Sequence, residues 1–138
     1  MRTRDPVRMQ GVAYLESPVG CLRIKTHNDA VVEVEFVDAP GEDVLLTPAA
    51  EQALSELNEY FAGKRTHFSV PLSPRGTVFQ ETIWQLLQQI PHGRAVSYSA
   101  LAQKLGKPGA LRAVGQANHT NPIAIMIPCH RVVGLDRA

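Results

Sequence analysis

One pentapeptide near the C-terminal end concentrates the reactive side chains: Pro128-Cys129-His130-Arg131-Val132, directly after the apolar run 123–127. A cysteine reacts as its thiolate, and nearby cationic or basic groups favour that form. An imidazole next in sequence can reach the sulfur directly or through one water. Arg131 adds positive potential. A cysteine behind an apolar run often serves only as a small buried hydrophobe, but His130 and Arg131 beside Cys129 turn the reading toward a nucleophile. A Cys-His hydrolase would also need an oxyanion site and an orienting acid or amide, and no glycine-rich nest adjoins Cys129. The second cysteine, Cys21, lies in a predicted strand and reads as an inert, half-buried thiol. His27, His67, His92 and His119 have no metal-ligand spacing, so no metal is expected.

The elements that must position this motif are readable from pattern. The segments 12–15, 21–25 and 31–37 alternate or are β-branched, separated by Ser17-Pro18-Val19-Gly20 and His27-Asn28-Asp29, and predict an antiparallel meander. Thr47-Pro48 opens a helix, with Gly63 as its C-terminal stop. Residues 68–72 predict a short edge strand. The stretch 77–90 predicts a helix with Phe79, Ile83, Trp84, Leu86, Leu87 and Ile90 on its apolar face, ended by Pro91-His92-Gly93. Ser97 caps a helix over 98–105, and another spans 110–119. Joined by a Gly/Pro turn, these two give a helix-turn-helix outline. Trp84 reads as core.

Composition narrows the class. The chain has 138 residues, 44% hydrophobic and 20% charged. That is a folded globular protein and excludes a disordered tail or rod. No apolar run reaches the roughly 20 residues of a membrane helix, and the Arg-rich N-terminus lacks the apolar core of a secretory signal. Two cysteines are too few for a disulfide framework. A cytoplasmic protein without membrane attachment is expected. The net charge of +1 hides an asymmetry: residues 1–73 carry seven Lys and Arg against eleven acids, and residues 74–138 seven against two. A basic second half suggests a polyanion-binding face. The sign flips at Ser73-Pro74-Arg75-Gly76, which gives two lobes, 1–73 and 74–138.

Pro128-Cys129-His130-Arg131-Val132 resembles the active-site motif of the O6-alkylguanine-DNA alkyltransferases, the methylated-DNA–protein-cysteine methyltransferases. The resemblance extends upstream through Phe79-Gln80 with Trp84, then Ile90-Pro91-His92-Gly93 and Val96-Ser97-Tyr98, then Ala110-Leu111-Arg112-Ala113-Val114-Gly115 and Asn121-Pro122-Ile123. It is dense from about residue 77 to 134. Together with the pattern it implies an α+β fold: a small antiparallel sheet with a helix, then a helical, winged-helix-like lobe carrying a helix-turn-helix. It also implies a reaction, in which duplex DNA is bound, O6-alkylguanine is flipped out, and its alkyl group moves once, irreversibly, to the protein's own cysteine. Cys129 is then the alkyl acceptor, His130 the base acting through a water, and Asn121 the hinge behind the active-site turn. Tyr98 rotates the nucleotide and hydrogen-bonds the flipped base. Arg112 fills the gap in the stack. The main-chain carbonyls of Cys129 and Val132 accept from the guanine amino group. Small residues such as Ala113 and Gly115 let the recognition helix enter the minor groove, and Arg131 joins Tyr98, Arg112, Ala113 and Gly115 on the DNA side.

The sequence ends at Gly134-Leu135-Asp136-Arg137-Ala138, and by the resemblance about 20 to 30 further residues are expected. Such a tail would carry a Tyr and Gly-Gly loop walling the alkyl pocket and a glutamate orienting the histidine, so the second lobe reads as incomplete. The resemblance implies a monomer. A missing final helix would expose apolar surface and points to dimerisation or segment exchange. A non-reactive or weakly reactive lesion-binding protein is the alternative function.

Overall fold

The computed structural model of the chain describes residues 10–133. The chain divides into two compact units, Met1–Pro74 and Arg75–Ala138. In the first, β1 (Gly11–Ser17), β2 (Gly20–His27) and β3 (Ala30–Val37) form an antiparallel sheet in the order β1-β2-β3. The predicted turns close both hairpins, pairing Ser17 with Gly20 and His27 with Ala30. Alternation then buries Leu22, Ile24 and Val34 on one face, against Ala50, Ala53 and Leu57 of α1 (Pro48–Phe61). Helix α1 starts where the sequence says it should: Thr47 accepts from the Ala50 amide and Pro48 holds the first turn.

The expected edge strand at 68–72 does not form. Only an isolated parallel bridge joins Val31 and Leu72. Pro71 has no N–H to offer a ladder. The amides of Ser69 and Val70 donate instead to one carboxylate oxygen of Glu56, at 2.8 and 3.1 Å. Glu56 is 4% exposed on α1, and a buried carboxylate needs such donors. Cys21 is also more enclosed than expected. It is buried between its register neighbours Glu16 and Val37, and burial, then the Glu16 charge, pushes its thiol up.

In the second unit, α2 (Val78–Gln88) opens with a reciprocal capping box between Thr77 and Gln80. Trp84 is buried, as expected, and its indole N–H donates to the Ala117 carbonyl at 2.8 Å, tying α2 to α4 (Leu111–His119). Helix α3 (Tyr98–Lys104) is capped by Ser97. It ends in a paired closure: the Gly106 amide donates to Gln103 and the Lys107 amide to Ala102, with Gly106 at φ +75. That left-handed residue reverses the chain toward α4, and α3 and α4 pack on one another as a helix-turn-helix. A two-residue parallel pair unseen in the sequence, β4 (Val96–Ser97) with β5 (Val132–Val133), completes the unit. Among the described residues no helix is long and apolar enough to cross a membrane.

Candidate active site

The segment from Asn121 to Val132 is a chain of tight turns rather than a strand. Asn121 follows α4 and bonds in two directions. Its amide nitrogen donates to the Ile127 carbonyl at 2.8 Å, and its amide oxygen accepts from the Ile123 N–H at 3.0 Å. One short side chain thus spans the loop between the recognition helix and the cysteine turn. The Ile127 carbonyl takes a second donor, the Cys129 N–H, also at 2.8 Å. Between them Pro128, at φ −81 and ψ 69, makes an inverse γ-turn. The opposite hand occurs three residues earlier. The Met126 N–H donates to the Ala124 carbonyl at 2.7 Å around Ile125, whose φ is +72. A β-branched residue there is strained by about 1–3 kcal/mol. Burial of Ile123, Met126 and Ile127 and the two Asn121 bonds hold it.

This brace presents Cys129–Arg131 as a single 3₁₀ turn. Cys129 is half-buried, a free thiol on a rigid turn. The next residue, His130, is exposed. Desolvation, then the charges of Arg131 and His92, lowers its imidazole below the usual 6.5. All three causes disfavour the cation, so His130 is neutral at neutral pH, the state a base requires. The Val132 N–H donates back to the Cys129 carbonyl, which keeps a second lone pair. Val132 is buried and pairs with Val96.

The parallel pair links the cysteine turn to the helix-turn-helix. Ser97 pairs with Val133 and also caps α3, so Tyr98, the first residue of α3, follows directly from the strand beside the turn. The Tyr98 ring lies against the next helix, with Cε1 4.0 Å from where a Cβ on Gly115 would stand. Arg112 and Ala113 are exposed at the start of α4, whose buried face is Val114, Ala117 and Asn118.

The structure therefore gathers Asn121, Cys129, His130 and Val132 on one braced turn, with Tyr98 directly following the strand residue Ser97 that pairs with Val133. It leaves Arg112 and Ala113 on the open face of α4. Arg131, the last residue of the 3₁₀ turn, makes contacts of its own. Its guanidinium turns back into the unit, where Nη1 donates to the Ile90 carbonyl at 2.7 Å and Nη2 lies 3.3 Å from His92 Nδ1. Ile125 was not singled out from sequence, and Ile90 and His92 were given no part in the site. The turn signal Pro91-His92-Gly93 marked where His92 lies but nothing in it marked a partner 39 residues on. Asp136, the acid nearest the motif in sequence, lies outside the described residues. Among those residues no group of three His, Cys, Asp or Glu could hold a metal.

This architecture has known counterparts. Residues 12–74 match the family described as 6-O-methylguanine DNA methyltransferase, ribonuclease-like domain. Residues 78–138 match 6-O-methylguanine DNA methyltransferase, DNA binding domain. The methylated-DNA–protein-cysteine methyltransferase of Mycobacterium leprae is 42% identical over 125 residues, covering 87% of this chain and 76% of that protein. The constitutive one of Bacillus subtilis is 42% identical over 132 residues, covering 89% and 80%. Among solved structures, Mycobacterium tuberculosis OGT in complex with DNA aligns with a TM-score of 0.79 at 41% identity, over 88% of this chain and 77% of that one. On these matches across both of its units, the chain belongs to the 6-O-methylguanine DNA methyltransferase family.

Proposed function

We propose that this protein repairs alkylated DNA directly, moving the alkyl group of O6-alkylguanine onto Cys129. The observation that carries the reading is the half-exposed thiol of Cys129, held on an Asn121-braced turn next to a neutral His130. The curated relatives are named for this transfer, and a similar structure holds DNA. The substrate atom lies inside a duplex, so the nucleotide must be extruded before a side chain can reach it. The helix-turn-helix supplies what extrusion asks for: Tyr98 beside the turn, and Arg112 on the exposed face of α4 to fill the stack. Small residues at Ala113 and Gly115 allow close approach to a minor groove.

The chemistry balances without a cofactor. His130, acting through a water, takes the Cys129 proton. The thiolate sulfur forms a bond to the alkyl carbon as the carbon–O6 bond breaks, and the guanine leaves with that electron pair and takes up a proton. The free lone pair of the Cys129 carbonyl and the Val132 carbonyl accept from the guanine amino group, and the Tyr98 hydroxyl donates to the base. The thioether does not hydrolyse, so each chain acts once. Cations of the basic second half meet the phosphates, and affinity falls with added salt. The alternative of a lesion binder without transfer is not favoured, because the similar proteins carry the transferase name and Cys129 is in place.

The test is intact-protein mass after incubation with a duplex bearing one O6-methylguanine. Addition of one methyl per chain, absent from Cys129→Ala, is expected. Lesion-dependent binding with no mass change would replace transfer with recognition alone.

A further inference from the structure

Helix α4 carries one large apolar side chain that its own packing does not use. The helix buries Val114, Ala117 and Asn118, and Arg112, Ala113, Gln116 and His119 are exposed. Leu111, its first residue, is 45% exposed. Among the described residues of the second unit, Val78 is the other large hydrophobe left in the open.

The place of Leu111 on the helix says what it meets. It directly precedes Arg112 and lies one turn before Gly115, so it shares the stripe that the Tyr98 ring approaches, with Cε1 4.0 Å from a Cβ built on Gly115. Cα–Cβ bonds tilt toward a helix N-terminus, so the side chain of a first residue projects past the end of its helix. Ala113 and Gly115 are small, and Leu111 stands above them. The surroundings favour a polyanion over a protein surface: no Asp or Glu occurs between Glu81 and Asp136. In a minor groove a leucine has neither donor nor acceptor, so it reads no sequence. What it can do is wedge against a base step and unstack it.

We propose that Leu111 is the apolar wedge of the recognition helix. On a duplex it enters from the minor groove beside the lesion, opens the neighbouring base step and so favours extrusion of the alkylated nucleotide, while Arg112 fills the stack behind it. Its work is confined to a lesion stacked in a duplex. This rests on the transfer reaction proposed above.

The test is single-turnover transfer, read by intact mass, from one O6-methylguanine oligonucleotide presented as duplex and as single strand. Leu111→Ala empties no core position and introduces a residue of higher helix propensity, so thermal unfolding should not fall. This variant is expected to transfer from duplex about tenfold more slowly than the unaltered protein, and from single strand within about twofold of it. Leu111→Met restores an apolar side chain of similar volume and should recover duplex transfer to within about threefold. Equal duplex rates for Leu111→Ala and the unaltered protein, or the same slowing on both substrates, would overturn the wedge. Failure of the unaltered protein on both substrates would overturn the transfer reaction itself, and the wedge with it.

Discussion

The two units each hold one cysteine, and they treat it oppositely. Cys21 is sealed in a regular ladder, with Glu16 and Val37 in register on either side, and its thiol is pushed up. Cys129 stands half-exposed on a turn outside any ladder, braced by one asparagine and followed by an imidazole shifted toward neutrality. Around them, polar groups follow the same divide. In the first unit, Glu56 satisfies Gln52, Ser69 and Val70 and lies 3.9 Å from Arg65. In the second, the turn tolerates a strained Ile125 and, among the described residues, leaves a thiol, an imidazole and a carbonyl lone pair uncommitted. Closed hydrogen bonding stabilises; open, pre-positioned groups are what a reaction needs.

The contrast can be broken most severely at Asn121. Asn121→Ala removes both braces, strands the Ile123 N–H and leaves burial alone to hold Ile125 at φ +72. Transfer should fall about a hundredfold, by misplacement of the nucleophile, and stability by about 2 kcal/mol in denaturant unfolding. A variant as fast as the parent would show that the turn needs no brace.

At Glu56 the effect should be on stability alone. Glu56→Ala strands two amides and should cost about 2–3 kcal/mol, while the transfer rate of the folded fraction is unchanged. Burial raises the Glu56 carboxyl, but the Gln52, Val70 and Ser69 bonds and Arg65 outweigh it, and the net direction is down. A carboxylate with a lowered folded value contributes its stability above its ordinary value, and loses it as pH falls through the folded one. The parent should therefore lose stability below about pH 4.5 more steeply than Glu56→Gln, as followed by circular dichroism.

A smaller effect sharpens the site. Tyr98→Phe keeps the ring against Gly115 and removes only the hydroxyl. Transfer from duplex should slow about tenfold, by loss of one hydrogen bond in the transition state, with thermal unfolding unaltered. An equal rate would remove the hydroxyl from the reaction.

How much of this was legible follows the same divide. Helix starts were readable because capping is local chemistry: Thr47 and Ser97 each cap the helix the sequence assigned to them, and Thr77, read as the first residue of the next helix, is its cap. The meander was readable because alternation and turn residues act within a few positions. The failures are at distance. Residues 68–72 look like a strand, but their amides were claimed by a glutamate 13 and 14 positions earlier. The contacts of Arg131 were likewise not readable locally, because Ile90 and His92 lie 41 and 39 residues back. The apolar run 123–127 shows its burial in its composition, yet not its γ-turns, since nothing in Ile125 itself favours positive φ. The motif 128–132 was readable as chemistry, and the brace that aims it only in part, through Asn121.

The most direct test of the account is where the methyl group lands. After reaction with O6-methylguanine duplex, peptide mapping should find the whole mass increment on the peptide containing Cys129 and none on that containing Cys21. Methyl on Cys21, or on neither cysteine, would contradict the claim that the braced turn makes Cys129 the acceptor.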